Sequence, residues 1–144
     1  MKELVILVGM QGAGKTHYCR AVLADYTRVS QDEGPKRFPG VLRHVRELLE
    51  RGTRRIVIDR TNPLRHQRDA FARLAREFGC RVRIIYFDVP RSVCEARILG
   101  RTDHPTLGPD RMREAIDRYV HSLDVPTEAE CDELVVLDAD HEPA

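Results

Sequence analysis

A glycine-rich octapeptide near the start of the chain has the residue types and spacing of a phosphate-binding loop. It fits the pattern GxxxxGK[S/T] and runs Gly9-Met10-Gln11-Gly12-Ala13-Gly14-Lys15-Thr16. Such a loop bends its backbone amides around phosphate oxygens at a helix N-terminus, where the helix dipole also favours anions. The alternative is a glycine-rich turn that binds nothing, but every fixed position of the pattern is matched.

Two side chains of this loop carry further chemistry in the pattern. Lys15 is expected to reach the β- and γ-phosphates of ATP, and the Thr16 hydroxyl is expected to hold Mg²⁺. The residues predicted to bind ATP here are Gly9, Gln11, Gly12, Ala13, Gly14, Lys15 and Thr16.

Two aspartates follow predicted strands and are candidates for metal and proton chemistry. Asp59 ends an apolar strand, which favours a carboxylate that helps to hold Mg²⁺ indirectly, through water. An ordinary strand-end aspartate or a helix cap is the alternative. Asp32 ends the second strand and could accept a proton from an attacking hydroxyl, or it could be a turn residue before Gly34-Pro35. The pattern alone favours neither role of Asp32.

Two arginines, Arg97 and Arg101, lie four residues apart at the end of a predicted helix. Like charges at this spacing repel by roughly 0.2–0.5 kcal/mol on an exposed helix face, and an anion between them would remove the repulsion. A helix-end lid that closes on a phosphate is one use for this pair. Solvated surface arginines are the alternative, and the chain has 21 arginines.

Length and composition favour a single domain over residues 1–144, since a chain of this size can bury a sizeable core. No apolar run approaches the roughly 20 residues of a membrane helix, and no signal peptide is evident. The four cysteines are scattered, which favours reduced thiols. We therefore expect a cytoplasmic protein without membrane attachment, and no obligate protein partner is evident.

Strand and helix patterns alternate along the chain, which predicts an α/β fold with a mainly parallel, five-stranded sheet. The predicted strands are residues 4–8, 28–30, 55–59, 82–87 and 134–137. Five helical patterns accompany them. The first follows the phosphate-binding loop, the second ends at Gly52, and the third runs from Asn62-Pro63 to Gly79. Pro90 and Pro109 open the other two. Ligands of such sheets bind beyond the carboxyl ends of the strands.

Five motifs, spread over nearly the whole chain, resemble those of the kinase domain of polynucleotide 5′-hydroxyl kinases. They are the octapeptide, Val29-Ser30-Gln31-Asp32, Val57-Ile58-Asp59-Arg60-Thr61-Asn62-Pro63, Tyr86-Phe87-Asp88-Val89-Pro90, and Cys94-Glu95-Ala96-Arg97 leading to Arg101. Many nucleoside triphosphatases share the first motif. The combination of the second and third is much more specific to this family and its relatives.

The resemblance implies a three-layer α/β sandwich with strand order 2-3-1-4-5, as in other phosphate-loop kinases. It implies that Asp32 is the general base for a nucleic-acid 5′-hydroxyl. It also implies that Arg97 and Arg101 contact the ATP phosphates from a lid over about residues 97–108. With Lys15, these are the residues expected to be catalytic.

The acceptor side departs from the family pattern. Several members place an arginine three residues after the base, where this chain has Pro35, followed by Lys36 and Arg37. Arg37 and Arg60 are the residues expected to bind the acceptor, Arg37 from a shifted loop; otherwise the acceptor itself differs.

Three functions follow from these motifs. The first is an ATP- and Mg²⁺-dependent kinase acting on a 5′-hydroxyl of DNA or RNA. The second keeps the fold but phosphorylates a small molecule, such as a nucleoside, a sugar or an antibiotic, as Pro35 would favour. The third is a nucleotide-binding module without transferase activity. The net charge of +1 suits a narrow acceptor groove better than a long nucleic-acid track.

Overall fold

Strands and helices alternate in the computed structural model, which describes residues 1–30, 37–100 and 109–140. In chain order the elements are β1 (Glu3–Val8), α1 (Lys15–Val22), β2 (Thr27–Ser30), α2 (Phe38–Glu50), β3 (Arg55–Asp59), α3 (Arg65–Glu77), β4 (Arg81–Phe87), α4 (Arg91–Leu99), α5 (Pro109–Ser122) and β5 (Glu133–Leu137). A short 3₁₀ turn, Glu128–Glu130, precedes β5. No helix in the described ranges is long and apolar enough to cross a membrane.

The five strands form one parallel sheet in the order β2-β3-β1-β4-β5, which confirms the order implied by the resemblance. The central strand β1 is buried along its whole length. Such a strand reads as a continuous apolar run because helices cover both faces of the sheet. The carboxyl ends of β1 and β3 are neighbours, so the phosphate-binding loop and Asp59 emerge side by side.

The helices cover both faces and complete the predicted three-layer sandwich. Helices α2 and α3 pack on one face, where Val45 and Phe71 join Ile6 of β1 in a core cluster. On the other face, Tyr18 of α1 and Ile116 of α5 pack in a second cluster. Alternate side chains of each strand point to opposite faces, which is why one sheet supplies both clusters.

Two helices end as the glycine pattern predicts. Gly52 and Gly79 have φ angles of 87° and 73°, and each follows a helix. The amide of Thr53 donates to Leu48 O, and that of Cys80 donates to Ala75 O. These are the bonds of a left-handed helix cap that satisfies the last carbonyls of α2 and α3.

The predicted start of α3 is wrong. Asn62 does not cap the helix, and Pro63 is not its first residue, because α3 begins at Arg65 after Leu64. The Asn62 side chain instead donates to Leu7 O of the neighbouring strand, at 2.7 Å. The Asn62 side chain therefore forms a buried hydrogen bond between the ends of β3 and β1, and it does not form the N-cap that the residue types suggest.

A buried ion pair fixes α3 to the segment before β5. The Arg68 side chain is fully buried; its Nε donates to Glu130 Oε1 at 2.8 Å, and its terminal nitrogens donate to Asn62 O and Asp124 O. Burial would raise the pKa of Glu130, but the hydrogen bonds from Arg68 and the Thr127 amide outweigh it and hold that pKa below its ordinary value. The pair is well compensated, as a buried charge must be.

Removing one partner of this pair should be costly. We expect Glu130→Ala to lower the free energy of unfolding by about 3–5 kcal/mol, because Arg68 would keep a buried charge without its counter-ion. Urea denaturation measures the change. The matched control is Glu77→Ala, which removes the half-exposed partner of Arg46 and should cost no more than about 1 kcal/mol. Equal losses in the two variants would contradict this role of the Arg68–Glu130 pair.

Candidate active site

The phosphate-binding loop joins the buried end of β1 to the first turn of α1. Gly12 and Gly14 have φ angles of 82° and 100°, a region that glycine adopts without strain. Lys15 begins α1, and its Nζ donates to Gly9 O and Met10 O, each at 2.8 Å. The lysine side chain therefore arches back over the loop whose amides are expected to bind phosphate.

Helix α4 packs directly against this loop at Gly12. A Cβ at Gly12 would lie 2.6 Å from Cys94 O and 3.1 Å from the Ile98 side chain. From the same helix, a terminal nitrogen of Arg97 donates to Gly12 O at 3.2 Å. The structure thus brings Arg97 to the phosphate-binding loop, where the resemblance implies an arginine that contacts phosphate.

Gly12 should not tolerate a side chain. We expect Gly12→Ala to push α4 away from the loop, weakening ATP binding at least about tenfold as measured by calorimetric titration. Gly52→Ala is the matched control, since Gly52 also has a positive φ but a Cβ there meets nothing within 4 Å. Gly52→Ala should lower the free energy of unfolding by only roughly 1–2 kcal/mol, the cost of a left-handed backbone for a residue with a Cβ. Its ATP affinity should be unchanged. Unchanged ATP affinity in Gly12→Ala would show that this contact does not shape the loop.

Thr16 and Asp59 meet at the edge of the sheet. Thr16 Oγ1 donates to Asp59 Oδ2 at 3.1 Å, and Asp59 is 5% exposed. Hydroxyl and carboxylate oxygens are the ligands that Mg²⁺ prefers. The described residues contain no cluster of three or more His, Cys, Asp or Glu that could hold a metal by itself. A magnesium ion here would also use phosphate oxygens, as in other phosphate-binding loops.

Arg28 is a member of this site that the sequence reasoning missed. Its Nε lies 2.7 Å from Asp59 Oδ2, and a terminal nitrogen lies 3.5 Å from Thr16 Oγ1. Arg28 lies opposite Val57 in the pairing of β2 with β3, on the face that α1 covers. Only the sheet order brings it to Asp59, so no local pattern points to it.

The Cys19 thiol of α1 lies close to the same charges. Burial raises the pKa of Cys19 to about 12, and the Asp59 carboxylate adds to the increase. Cys19 therefore stays a neutral, buried thiol at physiological pH, and a nucleophilic role for it is not supported.

The ion pair of Arg28 should stabilise the buried carboxylate of Asp59. We expect Arg28→Gln to lower the free energy of unfolding by about 1–3 kcal/mol, because Asp59 would lose its charged partner while staying buried. Guanidinium denaturation measures the loss. Arg55→Gln is the control, since it breaks an ion pair with Asp25 in which both side chains are more than half exposed. A loss no larger than that of the control would contradict the assignment.

Asn62 holds the ends of β1 and β3 together beneath the site. Besides its bond to Leu7 O, its Nδ2 donates to Arg60 O at 3.2 Å, and the Gly9 amide donates to Thr61 O at 3.1 Å. Asn62 adopts a φ of 47°, which asparagine tolerates better than most residues. These bonds fix the start of the phosphate-binding loop relative to Asp59.

The remaining predicted site residues are spread around this edge. Arg60 directly follows β3 and is partly buried, and burial lowers the pKa of its guanidinium. Arg37 precedes α2 and is exposed. Asp32, Arg101 and most of the predicted lid lie outside the described residues, so their roles stay predictions.

A family of known proteins matches the larger part of the chain. The profile of the AAA domain family matches residues 34–126, a stretch that includes Asp59, Asn62, Arg68 and Arg97. The chain belongs to this family. No protein of curated function matches this chain.

Solved structures share the fold of this AAA domain protein. A sugar kinase from Janibacter sp. superposes with a TM-score of 0.72 at 19% identity, over 99% of this chain and 88% of that one. A fungal RNA kinase gives a TM-score of 0.61 at 15% identity, over 99% and 78% of the two chains. The APS kinase of Mycobacterium tuberculosis, solved with AMPPNP and APS, gives a TM-score of 0.63 at 16% identity, over 98% and 90% of the two chains. The chain therefore has the fold of phosphate-loop kinases.

Proposed function

We propose that this protein is an ATP- and Mg²⁺-dependent kinase that transfers the γ-phosphate to a 5′-hydroxyl of DNA or RNA. The observation that carries the proposal is the contact between Thr16 and Asp59, 3.1 Å apart beside a loop whose lysine faces the same edge. A hydroxyl, a buried carboxylate and an ammonium group together suit a metal-bound triphosphate.

The donor half of the reaction rests on described residues. Lys15 and the loop amides bind the β- and γ-phosphates, and Thr16 with Asp59 would hold Mg²⁺, which neutralises charge on the transferred group when bound. Arg97, anchored on Gly12 O, would place a second cation beside the same phosphates.

The acceptor half rests on Asp32, Arg37 and Arg60. The strand register pairs Ser30 with Asp59, and Asp32 follows Ser30 by two residues in the chain. In the proposed step, the 5′-oxygen forms a bond to the γ-phosphorus while the bond from that phosphorus to the β,γ-bridging oxygen breaks. Asp32 takes the hydroxyl proton, ADP leaves, and Arg37 and Arg60 bind the acceptor.

A nucleic-acid acceptor is favoured by the combined motifs around Asp32 and Asp59, and an RNA kinase is among the structures that share the fold. A small-molecule acceptor is the second candidate. Pro35 stands where several polynucleotide 5′-hydroxyl kinases have an acceptor-binding arginine. A sugar kinase and a gluconokinase from Sinorhizobium meliloti also share the fold. A nucleotide-binding module without catalysis would give Asp32 no role.

An acceptor screen with γ-³²P-labelled ATP separates these functions. We expect label on 5′-OH oligonucleotides and none on oligonucleotides that already carry a 5′-phosphate. If a nucleoside, a sugar or an antibiotic is labelled and no oligonucleotide is, the protein is a small-molecule kinase and the nucleic-acid assignment is wrong. Tight ATP binding without any transfer would instead support the non-catalytic module.

The catalytic residues can be tested on the acceptor that the screen identifies. We expect Asp32→Asn to reduce kcat at least about 100-fold with ATP affinity retained, because proton transfer to a positioned base contributes on that scale. Lys15→Ala should also collapse kcat with the fold intact. Asp25→Asn is the control, since Asp25 is an exposed residue before the amino end of β2. Unchanged turnover in Asp32→Asn would remove Asp32 from the mechanism.

A further inference from the structure

A cleft between α2 and α3 is not used by the donor site. It has a volume of about 480 Å³, and its lining includes Pro39, Leu42, Arg43, Arg46, Arg73 and Leu74. Both helices follow strands of the parallel sheet and therefore begin at its carboxyl edge, where the phosphate-binding loop also lies. Pro39, the second residue of α2, marks the end of the cleft nearest to that edge.

The cleft carries an excess of positive charge. Arg43 and Arg73 are exposed, and neither side chain forms a hydrogen bond or ion pair with any residue in the described ranges. Arg46 lies 3.4 Å from Glu77, but both side chains are about half exposed, so this pair is weak. Three arginines against one glutamate leave a net charge of +2 in a small cleft. Polyanions are the natural complement of such a surface.

The shape of the cleft suits a strand better than a single small anion. By helix geometry, Arg43 and Arg46 lie about 6 and 10 Å along the axis of α2 from Pro39. The cleft is therefore long enough to hold more than one phosphate group of a strand. Leu42 is partly buried and lines the cleft between the arginines, where an apolar side chain can pack against a sugar, while the buried Leu74 forms part of the cleft floor.

We propose that this cleft binds the phosphodiester backbone of the acceptor strand downstream of its 5′ end. The inference rests on the proposed 5′-hydroxyl kinase activity, and it specifies an acceptor that is a strand of several nucleotides. The arginines bind phosphates, the partly buried Leu42 contacts the sugar surface, and the strand leads from the cleft to the carboxyl edge. A nucleoside or a sugar carries no downstream phosphates for these arginines to bind.

The experiment compares two double variants that each remove two exposed arginines. Arg43→Ala/Arg73→Ala changes the cleft, and Arg111→Ala/Arg113→Ala changes α5, which packs on the opposite face of the sheet. The probe is a single-stranded, 5′-OH DNA of twelve nucleotides with a 3′-fluorophore, and anisotropy gives its affinity at several salt concentrations. Phosphate transfer to the same strand and to a 5′-OH dinucleotide is measured in parallel.

The cleft variant should bind the long strand at least about tenfold more weakly than the wild type. Its salt dependence, as the slope of log K against log [salt], should be shallower by about 1.4, since each lost phosphate contact contributes about 0.7 on single strands. Its kcat/KM for the dinucleotide should stay within about twofold of the wild type. The α5 variant should keep the affinity and the slope of the wild type.

Two results overturn the inference while the kinase assignment stands. In the first, the wild type phosphorylates the long strand and the cleft variant binds that strand with unchanged affinity. In the second, both double variants lose the same affinity, which indicates that the total positive charge, and not the cleft, binds the strand. A wild type that neither binds nor phosphorylates any oligonucleotide overturns the proposed function, and the inference falls with it.

Discussion

The geometry of the site depends on the bonds that Asn62 makes between two strand ends. Its buried amide donates to Leu7 O, and the neighbouring Thr61 carbonyl accepts from the Gly9 amide. The phosphate-binding loop and Asp59 therefore leave the sheet at a fixed separation, and Thr16 can donate to Asp59. Arg68 extends the same constraint, because it binds Asn62 O and the buried Glu130. These bonds join four segments of the chain.

Electrostatics then determines what the site can hold. Asp59 supplies one buried negative charge, while Lys15, Arg28 and Arg97 place three cations around it and the loop. The amides of the loop and the positive end of α1 add to this field. A polyphosphate with its metal ion has the complementary charge. Burial and the Asp59 carboxylate raise the pKa of Cys19 against the effect of Arg28 and Lys15, so the thiol stays protonated and the chemistry is left to oxygen and nitrogen groups.

Features encoded within a short stretch of sequence could be predicted. The apolar run of β1 and the glycines of the loop locate the phosphate-binding element, and Gly52 and Gly79 end their helices as expected. The strand order came from the resemblance and not from the periodicity. Arg28 escaped prediction because its contact with Asp59 exists only when β2 lies beside β3. The expected helix start at Asn62-Pro63 is wrong because an asparagine side chain that can cap a helix can also donate to the backbone of a neighbouring strand.

In the proposed reaction, a phosphate held by Lys15 and Thr16 is passed to a nucleic-acid hydroxyl activated by Asp32. A crystal structure with Mg²⁺, a non-hydrolysable ATP analogue and a 5′-OH dinucleotide is the sharpest test of this reaction. We expect the 5′-oxygen within hydrogen-bonding distance of the Asp32 carboxylate and in line with the γ-phosphorus, with the metal ion at Thr16. A dinucleotide bound away from Asp32, or a γ-phosphate directed away from the acceptor, would contradict it.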